Sequence, residues 1–173
     1  ELRYELIDGR AYAMSPAPTR RHQQVVGELF RQIANALQGR TCRAYVAPFD
    51  VRLPRGTEAD DEVDTVVQPD IAVFCDRGRL DERGARGAPD WIIEVLSPGT
   101  ASHDQLLKRD LYERHGVAEY WLVHPGDRLV TVYRLLSDAY GKPHVQEFAG
   151  GLWPQALQDL QVDLDLLATA LAD

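Results

Sequence analysis

Two short segments of strand character, Leu2 to Ile7 and Arg10 to Met14, flank the dipeptide Asp8-Gly9. Asp-Gly supplies the positive backbone φ that a tight hairpin turn demands, so the chain is expected to open with a β-hairpin. The pattern breaks at Ser15-Pro16-Ala17-Pro18 and then changes period. Val25, Val26, Leu29, Phe30, Ile33, Ala34 and Leu37 recur at helical spacing and Gly39 closes the run, which predicts a helix over roughly 19–38.

Arg43 to Phe49 and Asp50 to Leu53 read as two strands that meet near Pro48, and the acidic stretch 58–64 as a solvated loop or hairpin tip. Gln68-Pro69-Asp70 leads into an apolar strand, Ile71 to Cys75, and a loop rich in Arg, Asp and Gly is expected over 76–90. Trp91 to Leu96 is a second strongly apolar strand, stopped by Ser97-Pro98-Gly99. A helix follows from Ser102 or Asp104 to about His115, with Leu106, Leu107, Leu111 and Tyr112 on its inner side and Gly116 as its stop. Strands are expected at Glu119 to His124 and Leu129 to Leu135, separated by a turn at Pro125-Gly126-Asp127. The tail adds apolar stretches at 145–148 and 157–171. With no internal repeat, low-complexity tract or linker, residues 1–173 read as one mixed α/β (α+β) domain.

Composition narrows the class. A chain of 173 residues, 45% hydrophobic and 27% charged, has the make-up of an ordinary folded protein. No apolar run approaches the roughly 20 residues that a membrane-spanning helix needs. Two cysteines, Cys42 and Cys75, make neither a disulfide framework nor a four-thiolate zinc site, and no secretory leader is recognisable; a cytoplasmic setting with free thiols is expected. The net charge of −8 argues against a protein that coats nucleic acid through a broad basic face. It leaves room for a nuclease, because a metal site needs clustered carboxylates and only a local basic groove. Lys108 and Lys142 are the only lysines among 19 basic residues.

Three features in the middle of the chain carry chemistry: Asp70 before one apolar strand, Glu94 inside the next, and Lys108 on the helix after it. A carboxylate within Trp-Ile-Ile-Glu-Val-Leu has to sit in an apolar strand, where burying its charge costs several kcal/mol (about 3–5 for an unpaired ion) unless something positive faces it. On neighbouring strands Asp70 and Glu94 would offer hard oxygen ligands to Mg²⁺, with Lys108 as a cation near water and phosphate. Asp104, Lys108 and Tyr112 follow one another at four-residue spacing and share one helix face.

At these residues the sequence resembles the PD-(D/E)XK restriction-endonuclease-like superfamily, and within it a bacterial family classed as restriction endonucleases, expanded in cyanobacteria and once catalogued as a domain of unknown function. The carrying segments are Tyr-Glu-Leu-Ile-Asp-Gly (4–9), Met-Ser-Pro (14–16) with His22 downstream, Gln-Pro-Asp-Ile-Ala-Val (68–73), Ile-Glu-Val-Leu-Ser-Pro (93–98), the Asp104/Lys108/Tyr112 series, and Gly-Val-Ala-Glu-Tyr-Trp-Leu-Val (116–123). The resemblance implies a restriction-endonuclease-like core, with a central mixed β-sheet flanked by helices, and Mg²⁺- or Mn²⁺-dependent hydrolysis of DNA phosphodiester bonds, with a homodimer as partner state and no membrane. Asp70 matches the first acid and Glu94 the second. The pattern expects Lys two residues after that acid, where this chain has Leu96, and the resemblance implies that Lys108 takes the role. His124 stands where relatives often carry Asp. The implied metal ligands are Asp70, Glu94 and the backbone carbonyl of Val95, with Glu5, His22, Asp104 and Tyr112 as accessory residues.

Each of these residues also has a structural reading. Pro-Asp is a common turn or cap, a buried Glu pairs with a structural Arg, a helical Lys is commonly solvated, and Asp104 suits an N-cap. His22 follows Arg20 and Arg21 as a surface residue would, Tyr112 suits a core position, and Tyr120 and Trp121 suit packing. Arginines 77, 79, 83 and 86 alternate with acids, the mark of a solvated loop rather than a DNA clamp. A nuclease-derived module that binds nucleic acid or a protein without turnover is the alternative to the enzyme. A paired-carboxylate glycosidase gives Lys108 no task.

Overall fold

A computed structural model of the chain describes residues 3–14, 18–97 and 103–172, with the side chains of 103 and 104 outside that description. The N-terminal hairpin forms as expected from β1 (Tyr4–Ile7) and β2 (Arg10–Ala13), with Asp8 at φ 50° and Gly9 at φ 73° in the turn. Helix α1 (Arg20–Ala36) starts at Thr19, whose hydroxyl accepts the His22 N–H at 3.2 Å, and buries Val25, Val26, Leu29 and Ile33. Then come β3 (Arg43–Val46), a cis Ala47–Pro48 bond, β4 (Val51–Arg52), β5 (Val66–Val67) and β6 (Ile71–Phe74).

The polar stretch 76–90 differs from the expected loop: it contains β7 (Leu80–Asp81) and β8 (Gly84–Arg86). Its charges are not simply solvated. Arg52 reaches both Asp60 and Asp81, and Arg83 and Arg86 converge on Asp60, so tertiary ion pairing orders what has no apolar alternation of its own. Gly84, at φ 123°, lies so close to Asp50 that an added Cβ would stand 2.2 Å from its carbonyl oxygen. Only glycine fits there.

Next along the chain are β9 (Trp91–Val95), α2 (His103–Arg114), β10 (Glu119–His124) and β11 (Leu129–Leu136). The tail resolves into β12 (Ala139–Tyr140), β13 (His144–Glu147), β14 (Gly151–Leu152), β15 (Val162–Asp163) and α3 (Leu164–Ala170). A seven-stranded sheet runs β12-β11-β10-β9-β6-β3, with β13 also on β11, and a six-stranded sheet runs β2-β1-β5-β4-β8-β7. β9 and β10 are parallel while β6 is antiparallel to β9, so the larger sheet is mixed, as expected.

Alternation through the central strands builds two cores. Ile71, Val73, Trp91, Ile93 and Trp121 pack with α1 and α3 on one face. Ala72, Phe74, Ile92, Tyr120 and Leu122 pack on the other with Leu111 and Tyr112 of α2 and with Val51 and Val67 of the smaller sheet. Glu94 follows Ile92 by two residues and so shares the α2 side. On α2 itself the expectation for Leu106 fails: it is 57% exposed, because Leu107, Lys108, Leu111 and Tyr112 form the inward stripe and Leu106 lies off it.

The cysteines also correct the sequence reading. Register Arg43↔Phe74 between antiparallel β3 and β6, continued by one pair, sets Cys42 opposite Cys75, and the two form a disulfide rather than free thiols. Among the described residues, no helix is long and apolar enough to cross a membrane.

Candidate active site

Register places the two acids. Ile71 pairs with Ile93 across β6 and β9, so the next pair is Asp70 and Glu94, at the end of these two interior strands where β6 begins and β9 finishes. Asp70 Oδ2 accepts the Val95 N–H at 2.8 Å, and the Asp70 N–H points to Glu94 Oε2 at 3.4 Å. From α2, Lys108 Nζ donates to Glu94 Oε1 at 2.9 Å and the Tyr112 hydroxyl donates to the same oxygen at 2.7 Å. Lys108 also reaches Glu5 Oε1 on β1 at 3.0 Å, an oxygen that accepts the Gln68 N–H at 2.9 Å. From the first turn of α1, His22 Nε2 donates to Asp70 Oδ2 at 3.1 Å. Asp70, Glu94 and Lys108 are thus brought together, with Glu5, His22, Tyr112 and the Val95 backbone beside them. The side chain of Asp104 lies outside the described residues.

Burial dominates the electrostatics. Glu94 and Glu5 are 9% and 7% exposed. Desolvation pushes the Glu94 carboxyl above its usual range, with Lys108 pulling the other way and the charges of Asp70 and Glu5 adding to the rise. Burial disfavours the Lys108 charge, yet the Glu94 and Glu5 carboxylates outweigh it and hold the ammonium well above its ordinary pKa. For His22, burial is likewise outweighed, here by the hydrogen bond to Asp70 and its charge, and the imidazole is pushed up. Burial and the neighbouring Glu94 charge keep the Tyr112 hydroxyl protonated. His22 Nδ1 is buried without a hydrogen-bond partner.

Glu5, His22, Asp70, Glu94 and Lys108 line a cleft of about 530 Å³ between the hairpin, the start of α1 and α2, with Tyr112 behind Glu94. Register Glu5↔Tyr12, continued to Arg3 and Met14 by the Met14 N–H to Arg3 carbonyl bond, puts Arg3, Tyr12 and Met14 on the same hairpin face as Glu5, and all three line the cleft. Arg3 and Tyr12 do not stand out in the sequence as site residues and Met14 enters only within Met-Ser-Pro, although strand alternation from Glu5 carries the signal. Gln23, Gln68 and Gln105 line it as well. Tyr120 and Trp121 are packing residues at 1% and 0% exposure. Among the described residues, no group of three or more His, Cys, Asp or Glu side chains is arranged to hold a metal ion.

The fold is of the restriction-endonuclease-like class, and the acid, acid and lysine cluster lies where its strands β6 and β9 meet. The sequence profile of Uma2, described as "putative restriction endonuclease", matches residues 1–168, and the chain belongs to that family. It is similar to a solved structure from Anabaena variabilis, titled a putative nuclease belonging to DUF820, at 25% identity and a TM-score of 0.76, covering 97% of this chain and 90% of that one. A search of curated proteins found no match.

Proposed function

We propose that this chain is a Mg²⁺- or Mn²⁺-dependent endonuclease hydrolysing DNA phosphodiester bonds, with residues 1–173 acting as one PD-(D/E)XK-like domain. The observation that carries the reading is the convergence of Asp70, Glu94 and Lys108 on one cleft. The donors fit a hard divalent cation: two carboxylates beside a strand carbonyl at Val95, with room left for the waters that Mg²⁺ retains. Asp70, Glu94 and the Val95 carbonyl would hold it. When bound, the metal supplies Lewis-acid polarisation of the phosphate and a bound water of lowered pKa.

The chain's own groups then have defined tasks. Lys108, held protonated by Glu94 and Glu5, meets the charge that develops on the phosphate oxygens. Tyr112 and Lys108 together fix the Glu94 carboxylate, and His22 and the Val95 N–H fix that of Asp70. Glu5 positions Lys108 from the opposite wall. The sequence points to the cytoplasm as the place where DNA is met; the free thiols behind that expectation are replaced by the Cys42–Cys75 bond, a linkage rare in cytosolic proteins. Each site cuts one strand at a time, and a homodimer, the assembly the resemblance implies, would carry two such sites.

Purified protein should nick plasmid DNA only when Mg²⁺ or Mn²⁺ is added, and Lys108→Ala should lose the cutting while keeping much of its response to metal. Cleavage unchanged in that variant would sink the reading. A catalytically silent binding module is the second reading, favoured by the way Lys108 already neutralises both Glu5 and Glu94; nucleic-acid binding without nicking under any divalent ion would establish it.

A further inference from the structure

Taking the nuclease reading of the cleft as its starting point, we propose that the cleft receives a single unpaired polynucleotide strand rather than an intact duplex, with phosphates met by Arg3 and Arg20 and a base laid against Tyr12.

Depth comes first. The acid and ammonium groups line the cleft together with hairpin residues, and Glu94 and Glu5 are at least nine-tenths buried. A volume of about 530 Å³ is that of a small-molecule pocket, which generally spans roughly 300–1,000 Å³. One or two nucleotides fill such a volume, and a base-paired cylinder is too large to enter it.

Charge points the same way. A duplex-binding protein commonly neutralises about 6–10 phosphates. Here most arginines are spent on the chain's own carboxylates, among them Arg52, Arg55, Arg83, Arg86 and Arg114. The cations lining the cleft are Lys108, already held by two carboxylates, and Arg3, exposed and without an ion-pair partner among the described residues. Arg20 adds one more: it is exposed, precedes the cleft-lining Gln23 by three residues and so lies on the same flank of α1. Two free cations suit a strand touched at two phosphates.

The remaining lining is suited to bases. Tyr12, half-buried against the second core, also lines the cleft with a ring of the kind on which unpaired bases stack regardless of sequence, and Gln23 and Gln105 present amides that can hydrogen-bond base edges. In a duplex those faces and edges are occupied.

The test measures anisotropy of the wild-type chain with one labelled oligonucleotide in Ca²⁺ buffer, presented as a single strand, a blunt duplex and a half-unpaired fork, with an RNA strand of the same sequence to tell which sugar is preferred. Single strand and fork should bind at least about tenfold tighter than the duplex, with a salt slope near −1.5 for two phosphate contacts, against about −5 to −9 for a duplex-gripping protein. Tyr12→Ala should weaken strand binding by about tenfold and Tyr12→Phe should restore it. Arg3→Ala and Arg20→Ala should each cost about threefold to fivefold. A duplex bound as tightly as the single strand, or a Tyr12→Ala variant that folds and binds normally, overturns the inference. In a parallel Mg²⁺ assay, duplex cut as fast as single strand leaves the nuclease reading standing and sinks this one. Preferred binding of the single strand with no cutting of any substrate does the reverse.

Discussion

The Lys108 ammonium lies 2.9 Å from the Glu94 carboxylate, and 3.0 Å on its other side stands Glu5, so one cation from α2 neutralises acids delivered by two different sheets. The arrangement explains how a carboxylate survives inside the apolar strand β9. It also makes Lys108 costly to lose. Breaking a buried pair by removing one partner generally destabilises by about 3–5 kcal/mol, and Lys108→Ala should fall at the lower end because its side chain keeps 17% exposure. Denaturant midpoints measure this. Combining Lys108→Met with Glu94→Gln, which removes one of the two stranded charges, should recover about 1–3 kcal/mol relative to the sum of the single changes. Strict additivity would show that the two groups do not interact.

The metal ligands can be tested apart from catalysis. Mn²⁺ or Mg²⁺ at about 100 times its Kd should stabilise the wild-type chain by about 2.7 kcal/mol, visible as a rise in thermal midpoint. Asp70→Asn and Glu94→Gln should lose most of that rise. Equal rises in all three proteins would place the ion elsewhere.

Tyr112 separates packing from hydrogen bonding. Its ring meets Tyr120 edge to face with centroids 5.1 Å apart, a contact that Tyr112→Phe preserves, while the 2.7 Å bond to Glu94 disappears. A hydrogen bond to a charged group contributes about 1.5–3 kcal/mol, so the loss of stability should fall in that range. If nicking falls further than stability accounts for, the Glu94 orientation set by this hydroxyl matters to the chemistry.

The Cys42–Cys75 bond closes a loop with a sequence separation of 33, and loop closure of that size stabilises by about 3–4 kcal/mol in the chain-entropy account. A thiol titration of the unfolded, unreduced protein should find neither cysteine free. Reductant should lower the midpoint of unfolding, and a Cys42→Ser/Cys75→Ser variant should be insensitive to it.

Asp8 supplies a pH dependence whose sign is fixed by its surroundings. The hydrogen bond from Arg114, reinforced by the charges of Arg114 and Arg55, holds its carboxyl below the usual value of 3.8. Because the folded chain binds that proton more weakly than the unfolded chain, the contribution is present above about pH 4 and lost as pH falls below it. Asp8→Asn keeps a residue that tolerates the turn's positive φ. It should lower stability at pH 7 by less than about 1 kcal/mol, the size of a solvent-screened pair, and the gap should close by about pH 2.

Sequence and tertiary structure divide the explanation along physical lines. Period and turn chemistry are local, so the hairpin around Asp8-Gly9, helix α1 over Arg20–Ala36 and the apolar strands β6 and β9 were legible in the chain. An acid inside β9 was legible too, since a charge in an apolar strand demands a partner. What the sequence left open depends on pairs far apart in it. The smaller sheet's β7 and β8 are held by Arg52, Arg83 and Arg86 around Asp60 and Asp81, contacts that no periodicity announces. Cys42 and Cys75 meet because β3 happens to run antiparallel to β6 in that register, and Leu106 is exposed because of where α2 rests on the sheet. Hairpin register alone gives Arg3, Tyr12 and Met14 a common face with Glu5, but only the tertiary placement of the hairpin makes that face a wall of the cleft. Residue identity, local period and the family resemblance were enough to name Asp70, Glu94 and Lys108 as candidates; strand register and helix placement, set by burying two apolar cores, decided that they meet and what surrounds them.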